Sequence, residues 1–223
     1  MKKAIYYPLF LLPTAGFQLD SATRNKAGEQ PALREEKMNE TTKVIKSRRS
    51  VRKYKAKPVD DSEIEAIMDA AVYAPNAQNM QTWHFAVVQN KQMIDKMVEV
   101  IKENIVKSGP PFLQDRVKAP DYHTFHHAPA VVFITGDPNS RFVQIDCGAA
   151  LQTMALAAES MNIGTCPVAS SVFLFESDSG KAMAKQLGIP DNYTFMCSLV
   201  LGYPEGEKPA TPPRKKDVVK YTR

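Results

Sequence analysis

The segment from Phe142 to Met161 restricts this chain more than any other stretch of it. Its composition is helical, its apolar residues fall on nearly every side, and Ala149, Ala150, Ala155, Ala157 and Ala158 supply small contact positions. Such a helix has to be covered all round. In a chain of 223 residues, which is one large domain or two small ones, cover on every side calls for a subunit interface, so a homodimer is expected. Hydrophobic residues at 43% and charged residues at 24% exclude a disordered or fibrous chain. The net charge, 29 basic minus 24 acidic residues or +5, is too mild to imply a nucleic-acid partner by itself.

The remaining elements follow from periodicity and punctuation. Thr42 to Ser47 reads as a short helix. Asp60, with Glu63 three residues on, starts an amphipathic helix through Ile64, Ile67, Met68, Ala71 and Val72, which Pro75 stops. His84 to Val88 is a strand, Lys91 to Lys107 a second amphipathic helix, and Ala130 to Thr135 an all-apolar strand buried on both faces. A turn at Gly136 to Asn139 precedes the constraining helix. Ser177 to Leu187 makes a further helix ended by Gly188 and Pro190, and Thr194 to Leu201 the last strand. Pro204, Pro209, Pro212 and Pro213 then keep the tail out of regular structure and lay it along a surface, its own or a partner's.

Residues 1–40 read as a polar leader, and 41–223 as the folded body. Met1, Lys2 and Lys3 followed by the apolar run Ala4 to Phe17 have the basic and hydrophobic regions of a secretory signal, but Pro8 and Pro13 interrupt the run and no small-x-small site closely follows. The run is also too short to cross a bilayer as a helix, so no membrane partner is expected. Cys147, Cys166 and Cys197 are odd in number, far apart and set in apolar sequence, which argues for buried reduced thiols. The expected location is the cytoplasm, with export the alternative if the apolar run acts as a signal.

Two segments carry chemistry. Between Lys43 and Lys57 stand Lys43, Lys46, Arg48, Arg49, Arg52, Lys53, Lys55 and Lys57 with no acidic residue, and Ser50 lies among them. Guanidinium forks match phosphate oxygens and a serine hydroxyl completes such a site, although a solvated basic face has the same composition. A second basic cluster, Arg214-Lys215-Lys216, lies behind the tail prolines. The other segment, Ala74 to Phe85, holds Asn76, Gln78, Asn79 and Gln81 between a helix end and a strand, where amides serve either the local backbone or the edge of a polar heterocycle.

Taken together, Ser47-Arg48-Arg49-Ser50-Val51-Arg52-Lys53-Tyr54, then Ala74-Pro75-Asn76 with Asn79-x-Gln81-x-Trp83-His84-Phe85, then Arg214-Lys215, resemble the nitroreductase family of FMN-dependent oxidoreductases. The likeness runs from Thr41 to Arg223. It implies an α+β, nitroreductase-like fold with a central mixed or antiparallel sheet flanked by helices, homodimeric, with flavins in the interface contacted by both chains. It implies phosphate ligands at Arg48, Arg49, Ser50, Arg52, Arg214 and Lys215, and ring or ribityl contacts at Pro75, Asn76, Asn79 and Gln81. The family loop commonly has serine where this chain has Asn76 and proline where it has Thr82. Many members also place a glutamate-glycine pair beneath the flavin N5; here the corresponding stretch is Gly164 to Ser171, so Pro167, Val168, Ala169 and Ser170 would meet the ring through backbone N–H groups.

The implied activity is transfer of hydride from NADH or NADPH to nitroaromatic, quinone or similar electron-poor acceptors by a ping-pong route, with no general acid or base required. A non-catalytic flavin carrier is the alternative. A nucleic-acid module is disfavoured, since Tyr54 alone interleaves the charges. His123, His126 and His127 near Asp121 raise the question of a metal, but adjacent histidines seldom face one ion, and residues 108–128 read instead as a lid whose Phe112, Tyr122 and Phe125 would stack on a flat substrate. Cys166 lacks a CxxC partner and reads as structural, and Trp83 as a core anchor.

Overall fold

The computed structural model describes residues 39–215 and 217–222; the expected leader up to residue 38 and Lys216 lie outside them. Helix α1 (Glu40–Ser47) begins two residues earlier than the sequence suggests, because Asn39 caps it by accepting the Thr42 N–H at 2.9 Å. Helix α2 (Asp61–Val72) follows, its start fixed where Glu63 Oε2 accepts the Asp60 N–H at 3.2 Å. Strand β1 (Trp83–Val88) leads to α3 (Lys91–Ser108), whose cap Asn90 accepts from Met93 N–H. Next come α4 (Pro111–Arg116), β2 (Ala130–Gly136), α5 (Val143–Ser160), β3 (Gly164–Val168), a 3₁₀ segment over Ser170–Glu176, α6 (Asp178–Gln186) and β4 (Thr194–Gly202).

The four strands lie in the order β1-β2-β4-β3, and every neighbouring pair is antiparallel. Of the mixed or antiparallel sheet expected, the antiparallel form is the one present. Strand β2 is buried along its whole length because both of its faces are covered. Val131 and Phe133 enter a core with α3, the 3₁₀ segment and α6, whereas Val132 and Ile134 enter a second core with α2 and α5. Period-two alternation between two packed layers is what an uninterrupted apolar strand requires.

Helix α5 closes the second core with Val143, Cys147, Ala150, Met154 and Ala158. Its other side is open in the single chain, where Phe142 is exposed and Ile145 is 69% exposed. Cover all round is thus not achieved within one copy. Two elements escape a periodicity reading. Strand β3 contains Pro167, tolerated because β3 is the outermost strand of the sheet and, among the described residues, no strand pairs with it at Pro167 on the side away from β4. The stretch 108–128, expected as an irregular lid, contains α4, which starts with Pro111 in the first turn where a missing N–H costs nothing. Among the described residues no helix is long and apolar enough to cross a membrane.

Candidate functional site

The arginine segment is laid against the edge strand. Ser50 bridges in parallel to Thr165, Val51 N–H donates to Thr165 O at 2.9 Å, and Lys55 N–H donates to Tyr203 O at 2.9 Å. The approach is close enough to need glycine on the sheet: a Cβ on Gly164 would stand 2.9 Å from Val51 Cβ, and one on its cross-strand partner Gly202 would stand 2.8 Å from Tyr54 Cδ1. At the other end, Ser47 Oγ donates to Glu159 Oε1 at 2.5 Å, and the tail residue Lys208 pairs with the same oxygen at 2.8 Å. Arg48 and Arg49 are therefore fixed between two anchors. Arg49 Nη1 donates to the carbonyls of Lys46 and Arg48, but Arg49 Nε and Arg48 Nη1 are buried and have no hydrogen-bond partner among the described residues. An unpaired buried donor costs about 1–3 kcal/mol and more when charged, so these atoms fit an anion held beside them.

Beyond Arg52 the segment opens onto a cavity of about 410 Å³. Its floor is Cys166, Pro167, Val168, Ala169 and Ser170; its walls are Phe112, Leu113, Arg116, Tyr122, His126, Val172 and Phe173. A second chamber of about 380 Å³ adjoins it and adds Lys53, Ala119, Asp121 and His127, with Arg52, Arg116, Tyr122, His123 and His126 lining both. Burial pushes His123 and His126 down to about 4; Arg52 and Arg116 add to the effect on His126, and His127 adds to it on both. Both rings are neutral at pH 7. His123 Nδ1 accepts the N–H groups of Phe125 and His127, which fixes it as a structural acceptor. Among the described residues no His, Cys, Asp and Glu side chains converge as a metal-holding group. Burial raises the Cys166 thiol, opposed by Arg52, Ser50 and Arg48, so it sits under the cavity as a thiol, not a thiolate.

The three aromatics expected over a flat substrate part company here. Phe112, 68% exposed, and half-buried Tyr122 line the cavity, but Phe125 is 0% exposed and packs edge-on against Phe133 with centroids 5.9 Å apart. Phe125 is a core residue, correcting its assignment to the substrate: the short turn from His123 to Ala128 folds its one large apolar side chain inward, where full burial stabilises by about 1.5–3 kcal/mol. Trp83 is half-buried against Phe85 at the second core, as expected of an anchor.

The amide loop lies elsewhere. Asn76 Oδ1 accepts the Gln81 N–H at 2.9 Å, and Gln78, Asn79 and Gln81 all take left-handed backbone angles, with φ of 55°, 54° and 49°. Asp146, on the first turn of α5, holds the loop by accepting the Ala77 N–H at 3.2 Å. Pro75, Asn76 and Ala77 line a shallow groove with Phe142, Ile145 and Asp146. Asp146 and Glu159 stand near opposite ends of α5, thirteen residues apart, which is about 20 Å at 1.5 Å per residue. Within one copy, the loop and the arginine segment thus belong to different ends of one rod. Arg214 and Lys215 are exposed and line neither chamber. The chain brings together Arg52, Pro167 to Ser170, Phe112 and Tyr122, sets Arg48, Arg49 and Ser50 beside them along β3, and leaves the amides and the tail pair apart. Sequence reading misses Lys53, Arg116 and His126 as cavity residues; Arg116 and His126 flank the same aromatics in sequence, whereas Lys53 carries no such signal and reaches the chamber only through folding.

An α+β chain with an antiparallel sheet between helical layers, an arginine turn clamped on its edge strand and a cleft over that strand defines the nitroreductase fold. The chain belongs to the nitroreductase family, which it matches over residues 45–203. It is 34% identical over 177 residues to a protein of Archaeoglobus fulgidus provisionally named NADH dehydrogenase/NAD(P)H nitroreductase, covering 77% of this chain and 89% of that one. Two solved structures, both nitroreductases with bound FMN, are similar: that of Bacteroides fragilis (TM-score 0.79, 30% identity, 83% of this chain and all of the other) and that of Desulfitobacterium hafniense (TM-score 0.77, 31% identity, 84% of this chain and all of the other). Membership decides among oxidoreductase, flavin carrier and nucleic-acid module in favour of the oxidoreductase.

Proposed function

We propose that this protein is a homodimeric FMN-dependent oxidoreductase that passes hydride from NADH or NADPH to nitroaromatic, quinone or similar electron-poor acceptors in a ping-pong cycle. The observation that carries the reading is the pair of buried, partnerless guanidinium donors, Arg48 Nη1 and Arg49 Nε, on a turn clamped beside the cleft. They suit a phosphate, and Ser50, Arg52, Arg214 and Lys215 complete its ligands. Bound FMN supplies hydride acceptance and release at its ring, chemistry that no side chain here possesses.

The chain's own residues then position and exclude. Pro167, Val168, Ala169 and Ser170 support the ring; the N–H groups that open the 3₁₀ segment at Ser170 lack acceptors within it and are available to a ring nitrogen. Phe112 and Tyr122 stack on the visiting substrate and keep water from it. Pro75, Asn76, Asn79 and Gln81 complete the site from a second copy, since α5 holds them about 20 Å from the arginine turn of their own chain. A two-fold pair also covers Phe142 and Ile145. Buried reduced thiols at Cys147 and Cys166 support a cytoplasmic location.

The test is an anaerobic spectrum of the purified protein. We expect a yellow flavin spectrum bleached by NADH or NADPH and restored by a nitro compound or quinone. A flavin spectrum that neither nicotinamide bleaches would make the protein a carrier, and a colourless protein that takes up no added FMN would remove the reading altogether.

A further inference from the structure

The outer chamber carries two cations, Lys53 and Arg116, that the flavin reading leaves without a role. Lys53 and Arg116 stand on it with Arg52, against one carboxylate, Asp121. Ion pairs are common elsewhere on the surface: Lys118, two residues from Arg116, pairs with Asp115 at 2.8 Å, and Lys91 pairs with Asp95. Among the described residues no carboxylate lies within 4.0 Å of Lys53, Arg116 or Arg52, and Asp121 pairs with none of them. Two or three cations that face one concave space without partners form a focused positive field at the mouth of a mostly apolar cavity. A neutral His126 on the shared wall donates or accepts a hydrogen bond without adding charge.

Resting on the oxidoreductase reading, we propose that Arg116 and Lys53 make the outer chamber a recognition site for an anionic group carried by the substrate whose flat part lies in the inner cavity. The group is a phosphate of the nicotinamide donor or a carboxylate of the acceptor; the chemistry recognised is the same. Arg116 is the determinant because it lines both chambers and offers a planar fork, whereas Arg52, which also lines both, is committed to the FMN phosphate. Arg52 contributes field, its nearest fixed contact being a donation to Ser50 O at 3.5 Å.

Matched pairs of probes separate the sources: NADPH against NADH as donors, and 4-nitrobenzoate against 4-nitrobenzamide as acceptors. For at least one pair, wild type should favour the more anionic member in kcat/KM, and the preference should shrink as ionic strength rises. Arg116→Ala should lower that ratio about tenfold, the scale of one charge-assisted contact at a partly screened site, and Arg116→Lys should restore part of it. The responding pair identifies the source. Calorimetric titration of the purified protein with 4-nitrobenzoate and with NADPH reads binding directly, whether or not turnover occurs. A colourless protein that takes up no added FMN but still binds either anion, and loses it with Arg116→Ala, would overturn the flavin reading and leave this one standing. Ratios near one for both pairs, or ratios and titrations that Arg116→Ala leaves unmoved, would overturn the proposal.

Discussion

At the scale of single residues, the molecule separates side chains that sequence alone treats alike. Arg48 and Arg49 are neighbours of the same type, but each leaves a different buried nitrogen without a partner, Nη1 in one and Nε in the other. On the proposed phosphate site, replacing Arg48 by Ala removes a charge-assisted contact worth about 1.5–3 kcal/mol, so FMN affinity should fall at least about tenfold. Flavin retained through extensive dialysis as well as in wild type would take Arg48 out of the phosphate site. Phe112 and Phe125 are a second such pair. Phe125→Ala should destabilise the fold by about 3–5 kcal/mol through the cavity it leaves, whereas Phe112→Ala, on an exposed side chain, should shift stability by no more than about 0.5 kcal/mol. Denaturant melts of the two variants check this, and equal midpoints would put Phe125 back in the cleft. Nothing in the sequence distinguishes the two rings: both lie in a proline-rich, polar stretch, and the inward turn of Phe125 depends on the Phe133 ring of a strand it meets only after folding.

At the scale of elements, the helices other than α4 and the central strands were legible because their periodicity and caps are local. Asp60 with Glu63, the helical spacing along Lys91 to Lys107 and the unbroken apolar run of β2 each state their element within a few residues. Strand β3 was not legible, since five residues with a central proline carry no strand pattern until β4 pairs with them. The motifs of the site could be read from types and spacing, but not their placement, because α5 decides which end of the fold each one reaches. The contact between β3 and the arginine segment yields a test at this scale. Gly164→Ala puts a methyl group 2.9 Å from Val51 Cβ and 3.0 Å from Pro204 Cγ, so the segment has to move outward. We expect a loss of about 1–3 kcal/mol in stability together with weaker flavin binding, read by thermal melts and flavin fluorescence. A destabilised variant with unaltered flavin affinity would mean that the clamp on β3 does not position Arg48.

At the scale of the whole molecule, the tail and the open side of α5 belong to one question. The segment after Gly206 is proline-rich and exposed, yet Lys208 ties its beginning to Glu159, beside the arginine turn. From that tie the six residues to Arg214 reach roughly 19 Å as semi-rigid chain, enough to set Arg214 on a second copy. Deleting the residues after Gly206 should therefore release flavin and weaken the dimer together, as followed by flavin fluorescence and sedimentation. Full occupancy in an intact dimer after the deletion would leave Arg214 and Lys215 as surface charges. The two anchors on α5 have a further consequence, for the lengths that such a chain tolerates. Each residue inserted between Asp146 and Glu159 would swing one anchor by about 100° around the helix and push it 1.5 Å along, so that the amide loop or the arginine turn lost its hold. Of the residues that bridge α3 and β2, Val117 and Phe125 are tied into the first core, so the exposed stretch 118–121 is where that bridge can lengthen or shorten to suit a new substrate. The helix is a fixed measure against which a variable mouth is cut.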